Sequence, residues 1–415
     1  MNILVLNCGS SSLKFQIIET DLQRIEQDTD LMLAKGLIER VGSQSIISFQ
    51  AEGQMPFKSA EPLRDHKQAL NYAIKWITNP ETKIPGINDL TDIHAIGHRC
   101  VHGAERFKKS VRIDNEVISG IEDCIPLAPL HNPANLKGIY ASRELFGPSV
   151  PQVAIFDTSF HSTMPETSYL FAIPYQLYRR FKIRKYGFHG TSHRFISYRY
   201  RKMAGLDRDG VNIISLHLGN GCSACAIKNG KSVDTSMGLT PLDGLVMGTR
   251  SGDIDPTVIE FLAHNEGTSM DEVFNTLNKR SGLIGISGLT NDMRDLLDEE
   301  KDHQDRRATL AIDMFCHRIK KYIGFYLAEM NGADAICFTG GIGENSAEIR
   351  KRTMANMEYF GVEIDEDLNK IAYGGKEMKI STPNSKIEVY VIPTNEELLL
   401  ARDTVRVVLN VPRVW

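Results

Sequence analysis

Three stretches of this chain gather hydrogen-bond donors around glycine. The first is Asn7-Cys8-Gly9-Ser10-Ser11-Ser12, set between the apolar runs Ile3-Leu4-Val5-Leu6 and Lys14-Phe15-Gln16-Ile17-Ile18. The second is Asn220-Gly221, which follows Ile213-Ile214-Ser215-Leu216. The third is Gly340-Gly341-Ile342-Gly343, which closes a short apolar run from Ala335. Such turns offer N–H groups, hydroxyls and amides to a ligand rich in acceptors, and a phosphate chain is the obvious candidate. None of them is a P-loop, because Gly-x-x-x-x-Gly-Lys-Ser/Thr is absent, and none carries Gly-x-Gly-x-x-Gly. One such turn is more often structural than functional. Three of them, two at matching places in a repeated unit, point to nucleotide binding.

Cationic and acidic residues stand in similar positions. Arg99 lies between His98 and His102 after an apolar run. An arginine there can clamp a carboxylate or phosphate with two parallel bonds, or make an ordinary surface ion pair. Prolines fix the loop Pro126–Asn135 around His131, which is either a ligand group or a hydrogen-bonded structural histidine. Asp157 closes the apolar run Ala154-Ile155-Phe156, and ligand sites of α/β sheets gather at that end of a strand. His189 and His193 have the spacing of two metal ligands on one helix face, yet Gly190 disfavours a helix and the zincin glutamate is absent. A zinc site is therefore not expected. Arg250 lies in the loop-like run Gly238–Pro256 near two acids, and Cys222-Ser-Ala-Cys225 reads as strand packing rather than redox or metal chemistry.

The elements that must carry these residues are α/β in character. The strand–turn–strand of the first residues recurs at Val211–Met237, where Asn229-Gly230 is a hairpin signal into a third strand. Chance is an alternative source of that recurrence, since strand–turn–strand units are common. Phe315, Ile319, Tyr322, Ile323, Tyr326 and Leu327 fall at helical spacing and predict a helix from about Arg307 to Met330, stopped by Asn331-Gly332. A second helix is expected from about Ser346 through Met357. Thr394-Asn395-Glu396-Glu397 has the form of a capping box and opens a third, with Leu398, Leu399, Ala401 and Val405. No low-complexity linker marks a boundary.

A length of 415 residues favours two domains. Hydrophobic content of 42% and charged content of 24% are those of an ordinary globular protein. The net charge of −4 argues against nucleic-acid binding by bulk electrostatics. Met1-Asn2-Ile3-Leu4 lacks a basic signal-peptide region, no apolar run is long enough for a bilayer, and seven irregularly spaced cysteines suggest no disulfide framework. A cytoplasmic enzyme without nucleic-acid or membrane partners is expected.

Taken together, the blocks resemble one family. They are Asn-x-Gly-Ser-Ser-Ser-x-Lys-Phe from Asn7, Gly-His-Arg-x-Val-His-Gly at 97–103, Pro-Leu-His-Asn-Pro at 129–133, Phe-Asp-Thr-x-Phe-His at 156–161 and Tyr-Gly-Phe-His-Gly-Thr-Ser-His at 186–193. They continue with His-Leu-Gly-Asn-Gly at 217–221, Met-Gly-Thr-Arg-Ser-Gly-Asp at 247–253, Asn-Asp-Met-Arg at 291–294, Thr-Gly-Gly-Ile-Gly-Glu-Asn at 339–345 and Pro-Thr-Asn-Glu-Glu at 393–397. In this order they resemble the acetate/propionate kinase family across nearly the whole chain. The sequence departs at Ala104, where that family usually has a second glycine.

The resemblance implies the sugar kinase/heat-shock/actin fold, with two related actin-like ATPase domains, about 1–158 and 159–393, and the active site in the interdomain cleft. A C-terminal helix, about 394–415, would return to the first domain. It implies reversible, magnesium-dependent transfer of the ATP γ-phosphoryl group to acetate, giving acetyl phosphate and ADP, with manganese as an alternative metal and a homodimer as the assembly. Lys14, Ser10 and Ser12 would meet the ATP phosphates, and Asn7 and Glu396 the metal, although Glu396 also suits a helix N-terminus. His217, Leu218, Gly219, Asn220 and Gly221, together with Gly341, Ile342, Gly343, Glu344 and Asn345, would wrap the nucleotide phosphates. Asp292, Met293 and Arg294 would sit at the adenosine end. Arg99 and Arg250 would hold the substrate carboxylate and the moving phosphoryl group, with His189 bonded to that group and His131 in support. With ligands for partners, both arginines should matter little to folding. Val101, Leu130, Phe188 and Pro241 would line the acid's apolar pocket. Asp157 is read as acting by charge through the magnesium shell, because a substrate acid with a pKa of about 4 to 5 has no proton to lose at pH 7. A propionate or other short-chain acid kinase, and a non-metabolic actin-like ATPase, are the alternatives.

Overall fold

The computed structural model describes residues 1–412. The chain divides into two compact units: Met1–Ser159 with the stretch from Asn395 onward, and Phe160–Thr394. Residues 413–415 of the expected C-terminal helix lie outside the described residues. The helix itself runs Glu396–Val408.

In the first unit the strands are β1 (Asn2–Cys8), β2 (Ser12–Glu19), β3 (Leu31–Glu39), β4 (Gln44–Ala51), β5 (Phe57–Pro62), β6 (Ala95–Cys100), β7 (Val111–Arg112) and β8 (Gln152–Phe156). They form one sheet in the order β5-β4-β3-β2-β1-β6-β8-β7. β1 pairs antiparallel with β2 and parallel with β6. β1 is apolar on both faces because helices cover both. Leu4 and Leu6 join a core with Ala69, Ala73, Ile74 and Ala141, whereas Ile3 and Val5 pack with Leu400, Ala401 and Val405 of the C-terminal helix. A strand buried on both sides reads as a continuous apolar run rather than an alternation.

In the second unit the strands are β9 (Ile213–Leu218), β10 (Cys222–Lys228), β11 (Lys231–Thr235), β12 (Ala335–Thr339), β13 (Met378–Lys379) and β14 (Glu388–Val391). Their order is β11-β10-β9-β12-β14-β13. β9/β10 and β10/β11 are antiparallel, β9/β12 and β12/β14 parallel, and β13/β14 antiparallel. The same pattern of neighbours and directions runs through β3-β2-β1-β6-β8-β7 of the first sheet. The recurrence read from two hairpins is therefore six strands deep. Asn229 and Gly230 both take positive φ, 52° and 67°, as a two-residue hairpin turn of this hand requires.

The long helix spans Arg306–Met330, capped by Asp305 and ended by Asn331 in the left-handed region. Two expectations need correction. The capping residue of the C-terminal helix is Asn395, whose side chain accepts from the Leu398 N–H, not Thr394. The Thr394 N–H is instead bonded to Glu344. Also, Gly190 opens a helix, Gly190–Ala204, rather than preventing one. At a first helical position the residue's lack of a side chain costs little, and the preceding His189 takes the left-handed turn, φ 54°.

Candidate active site

The first unit places its functional residues at the ends of its central strands. Arg99 is the penultimate residue of β6, and Asp157 directly follows β8. The arginine fork faces the carboxylate squarely: Nε donates to Oδ1 at 3.0 Å and Nη2 to Oδ2 at 2.8 Å. Asp157 is 2% exposed, and Glu396 Oε1, on the first turn of the C-terminal helix, lies 3.6 Å from the same Nη2. Burial opposes the Arg99 charge, but Asp157, then Glu396 and Glu397, hold the guanidinium above its ordinary value. Arg99 is thus a clamp already engaged with a protein carboxylate, contrary to the expectation that its partner would be a ligand. Its Nη1 edge engages no group among the described residues.

Lys14 forms an ion pair with Glu397. Asn7 stands directly opposite Lys14 in the β1/β2 ladder, so both side chains project from the same face. In the first turn, Gly9 N–H donates to the Ser12 carbonyl at 2.9 Å, leaving Ser10 exposed and Ser12 half-buried. His131 is the residue before the helix Asn132–Phe146, and its carbonyl accepts from the N–H groups of Ala134 and Asn135.

That helix carries two residues that sequence reasoning missed. Asn132 bonds both the N–H and the carbonyl of His102, at 3.2 and 3.0 Å. Asn135 accepts from the Val101 N–H and donates to the Cys8 carbonyl, both at 3.0 Å. They tie the Arg99 segment and the first glycine turn to one helix. The Pro-Leu-His-Asn-Pro block was the available signal, read there for its histidine. β6 ends at Cys100, so Val101 lies just past the strand. Arg99 and Val101 are nevertheless both half-buried while Cys100 between them is fully buried. Leu130 is 58% exposed.

In the second unit His189, His217, Gly221 and Arg250 come together. The His189 and His217 rings lie 4.2 Å apart. A Cβ added at Gly221 would stand 3.4 Å from His189 Cε1 and 3.7 Å from Arg250 Nη1. Serines hold the imidazoles: His189 Nδ1 bonds Ser223 Oγ at 2.9 Å, and His217 Nδ1 bonds Ser192 Oγ at 2.8 Å. His193 is pinned between Ser215 and Ser223, and burial, with His161 and His217 beside it, keeps it neutral. Arg250 Nη1 donates to the Pro241 carbonyl at 3.0 Å and touches Met247 Sδ. Burial lowers its pKa, opposed only by Cys222. Among the described residues no carboxylate lies within ion-pair distance of Arg250. Phe188 is buried, and its carbonyl bonds His161 Nε2.

The segments read as nucleotide-binding are joined to this cluster. Asn220 accepts from the Gly248 N–H through its carbonyl at 2.9 Å and from Asn291 Nδ2 through its side chain at 2.8 Å. Asp292 caps the helix Met293–His303 and pairs with Arg294, which is 87% exposed. Met293 is buried. The third glycine stretch is itself a short helix, Gly340–Asn345, and a second helix, Ala347–Met354, follows it, capped by Ser346. Gly340 is at φ 77° with a Cβ position 2.7 Å from the Leu218 carbonyl, which brings this turn against residues 217–221 and admits no side chain. Ile342 is half-buried and Gly341 exposed. Glu344 turns inward: Oε1 accepts from the N–H groups of Gly340 and Thr394 at 2.8 and 3.0 Å. Asn345 bonds the Gly341 carbonyl and the Gly374 N–H.

Cys222 and Cys225 are buried free thiols with raised pKa values, as are the other five cysteines. Among the described residues no cluster of three His, Cys, Asp or Glu side chains is arranged for a metal ion, and no helix is long and apolar enough to cross a membrane.

Comparison with known proteins adds a family to this geometry. The profile of the Acetokinase family matches residues 2–402. An acetate kinase of Chloroherpeton thalassium is 59% identical over 99% of this chain and 100% of its own, and one of Solibacter usitatus is 56% identical over 99% of each. Among solved structures, Porphyromonas gingivalis acetate kinase is similar at a TM-score of 0.91 and 44% identity, covering 98% of this chain and 99% of that one. A propionate kinase from Francisella tularensis is similar at 0.88 and 43%, covering 99% and 100%.

Proposed function

The chain belongs to the acetokinase family and carries out the acetate kinase reaction, transfer of the ATP γ-phosphoryl group to acetate, and from that premise we propose how its side chains divide the work. Its fold is of the actin-like ATPase type. Arg250 and His189 meet the phosphoryl group in transit. The observation that carries this is the half-buried Arg250 guanidinium, whose bonding partners among the described residues are a carbonyl and a thioether. A partly desolvated cation with no counter-ion among the described residues is matched by an anion that arrives and leaves. In phosphoryl transfer the charge spreads over three equatorial oxygens, and fixed donors fit that distribution better than water does.

Arg99 presents its Nη1 edge to the acid's carboxylate while Asp157 fixes the plane of the fork. By the family resemblance, Val101, Leu130, Phe188 and Pro241 would be the apolar residues that meet the methyl group. Lys14, Ser10 and Ser12, the stretch His217–Gly221, Gly341–Asn345 and Asp292–Arg294 bind the nucleotide, and His131 supports the acid site.

Asn7 and Glu396 supply an amide and a carboxylate oxygen, the hard donors that suit magnesium or manganese, which also take ligands from nucleotide phosphates. Asp157 would act by its charge on the shell of a bound metal. The bound ion would neutralise charge on the β- and γ-phosphates. Asp157→Asn should raise the magnesium concentration needed for half-maximal rate, and an unchanged metal dependence with a lost pH limb would favour a base role instead. Seven buried, unpaired thiols support a cytoplasmic location. A homodimer follows from the family resemblance, and sedimentation of the purified protein tests it.

The test of the central assignment uses ATP, magnesium, acetate and hydroxylamine, which convert acetyl phosphate to a hydroxamate. Arg250→Ala should lower turnover by ~10³ or more. Near-normal hydroxamate formation by that variant would sink the assignment.

A further inference from the structure

Among the described residues the two largest fully buried side chains are both arginines, Arg350 and Arg402. Arg402 is neutralised by Asp28 and Asp30. Arg350, 0% exposed, has no such partner: among the described residues no carboxylate lies within ion-pair distance of it. Its guanidinium donates only to neutral oxygens. Nε reaches Asn369 Oδ1 at 2.7 Å, Nη1 the Gly343 carbonyl at 2.9 Å, and Nη2 the carbonyls of Asn369 and Ala372 at 2.7 and 2.9 Å. Burial lowers its pKa to about 10, so the charge persists at neutral pH.

The acceptors have a common origin. Gly343 belongs to the last turn of the helix Gly340–Asn345, Asn369 to the last turn of Glu366–Ile371, and Ala372 caps the latter. The guanidinium therefore sits against the C-terminal, negative ends of two helices. Asn369 also donates to the Ala347 carbonyl, and Asn345 accepts from the Gly374 N–H. One buried side chain thus joins the segment 369–374 to the turn 341–345. Neutral amides would satisfy some of these carbonyls without a desolvated charge, which is costly to keep.

We infer that Arg350 is a positioning residue for the nucleotide, bracing Gly343–Asn345 from behind and offsetting two helix ends whose negative potential would repel phosphate. The inference rests on the reading that Gly341–Asn345 holds the nucleotide. Its signature is selectivity for ligand charge: loss of the cation weakens a phosphorylated nucleotide more than the bare nucleoside.

The experiment measures binding of ADP and of adenosine by calorimetry to the wild type, Arg350→Gln and Arg350→Lys, each checked for its native circular dichroism. A unit charge ~10 Å from a ligand charge at an effective dielectric of about 20 changes affinity by roughly tenfold. Arg350→Gln should therefore lower ADP affinity at least ~10-fold more than adenosine affinity, while Arg350→Lys, which keeps the charge and loses the fork, should preserve the ratio between the two ligands. Equal weakening of both ligands by Arg350→Gln, or no weakening, overturns the inference. If the glutamine variant does not fold, the lysine variant decides alone, since a collapsed ADP-to-adenosine ratio there refutes the role of charge and a preserved ratio supports it. Asn345→Ala serves as the control on the underlying reading. If that variant binds both ligands like the wild type, the turn is not the nucleotide site and the inference falls with it.

Discussion

Replacing Arg99 by alanine should damage this protein twice, and the structure separates the two effects. The catalytic loss follows from the carboxylate grip. The stability loss follows from Asp157, which is 2% exposed and takes close bonds from the Arg99 fork at 2.8 and 3.0 Å. Removing one partner of a buried ion pair leaves a desolvated charge and costs about 3–5 kcal/mol. For a unit of this size one kcal/mol moves the melting temperature by about 2–4 °C, so Arg99→Ala should melt roughly 6–20 °C below the wild type. A buried carboxylate that loses a cationic partner holds its proton more readily. The variant's folded Asp157 would then have a raised pKa, and the deficit should shrink as the pH falls towards about 4. Arg250→Ala makes the contrast, since no buried anion loses a partner there, and its melting temperature should stay near that of the wild type. Calorimetric melts of both variants at pH 7 and pH 5 read this out. An Arg99→Ala melt within about 2 °C of the wild type, or equal losses for both arginines, would refute the reasoning.

Other outcomes follow from single side chains. Val101→Ala should narrow the gap in kcat/KM between acetate and propionate, since one methylene in an apolar pocket is worth roughly 1–3 kcal/mol; an unmoved ratio would remove Val101 from the pocket. Ala104 sits at φ 48°, a conformation that costs a residue with a Cβ about 1–2 kcal/mol, so Ala104→Gly should raise the melting temperature by a few degrees, and a lower one would contradict the strain. Burial lowers the pKa of both His98 and His161 to about 4. Below about pH 6.5 the unfolded chain takes up protons that the folded one refuses, so stability should fall steadily from pH 6.5 to pH 4. A flat stability profile over that range, by urea titration, would count against neutral histidines in the core.

The sequence disclosed most where chemistry and geometry coincide in a short stretch. Asn229-Gly230 specified its turn because few residue pairs accept two positive φ angles, and the helix to Met330 announced itself by periodicity and a stop. It disclosed less where a partner lies far along the chain. Asp157 is 58 residues from Arg99, and nothing local to either marks the pair. The residue that caps the C-terminal helix was misplaced by one position, because Thr394 and Asn395 are both good caps and only the fold decides that Thr394 serves Glu344. Asn132 and Asn135 were hidden by the same ambiguity, since asparagines after a proline turn look like ordinary helix-start residues. Arg350 was invisible: an arginine among Lys351 and Arg352 reads as solvated surface.

The C-terminal helix completes the core around Ile3, Val5 and Ile155, and this sets a timetable for the newborn chain. β1 and the rest of its sheet leave the ribosome before the second unit, whose 235 residues, Phe160–Thr394, separate them from the helix that covers β1. At roughly 5–20 residues per second, one face of the first sheet waits about 10–50 s for Leu400, Ala401 and Val405. During that interval the nascent protein exposes a flat aliphatic surface, a natural substrate for chaperones and a hazard on crowded polysomes. Synthesis terminated at about residue 394 would release a chain whose second unit is whole and whose first is still uncovered.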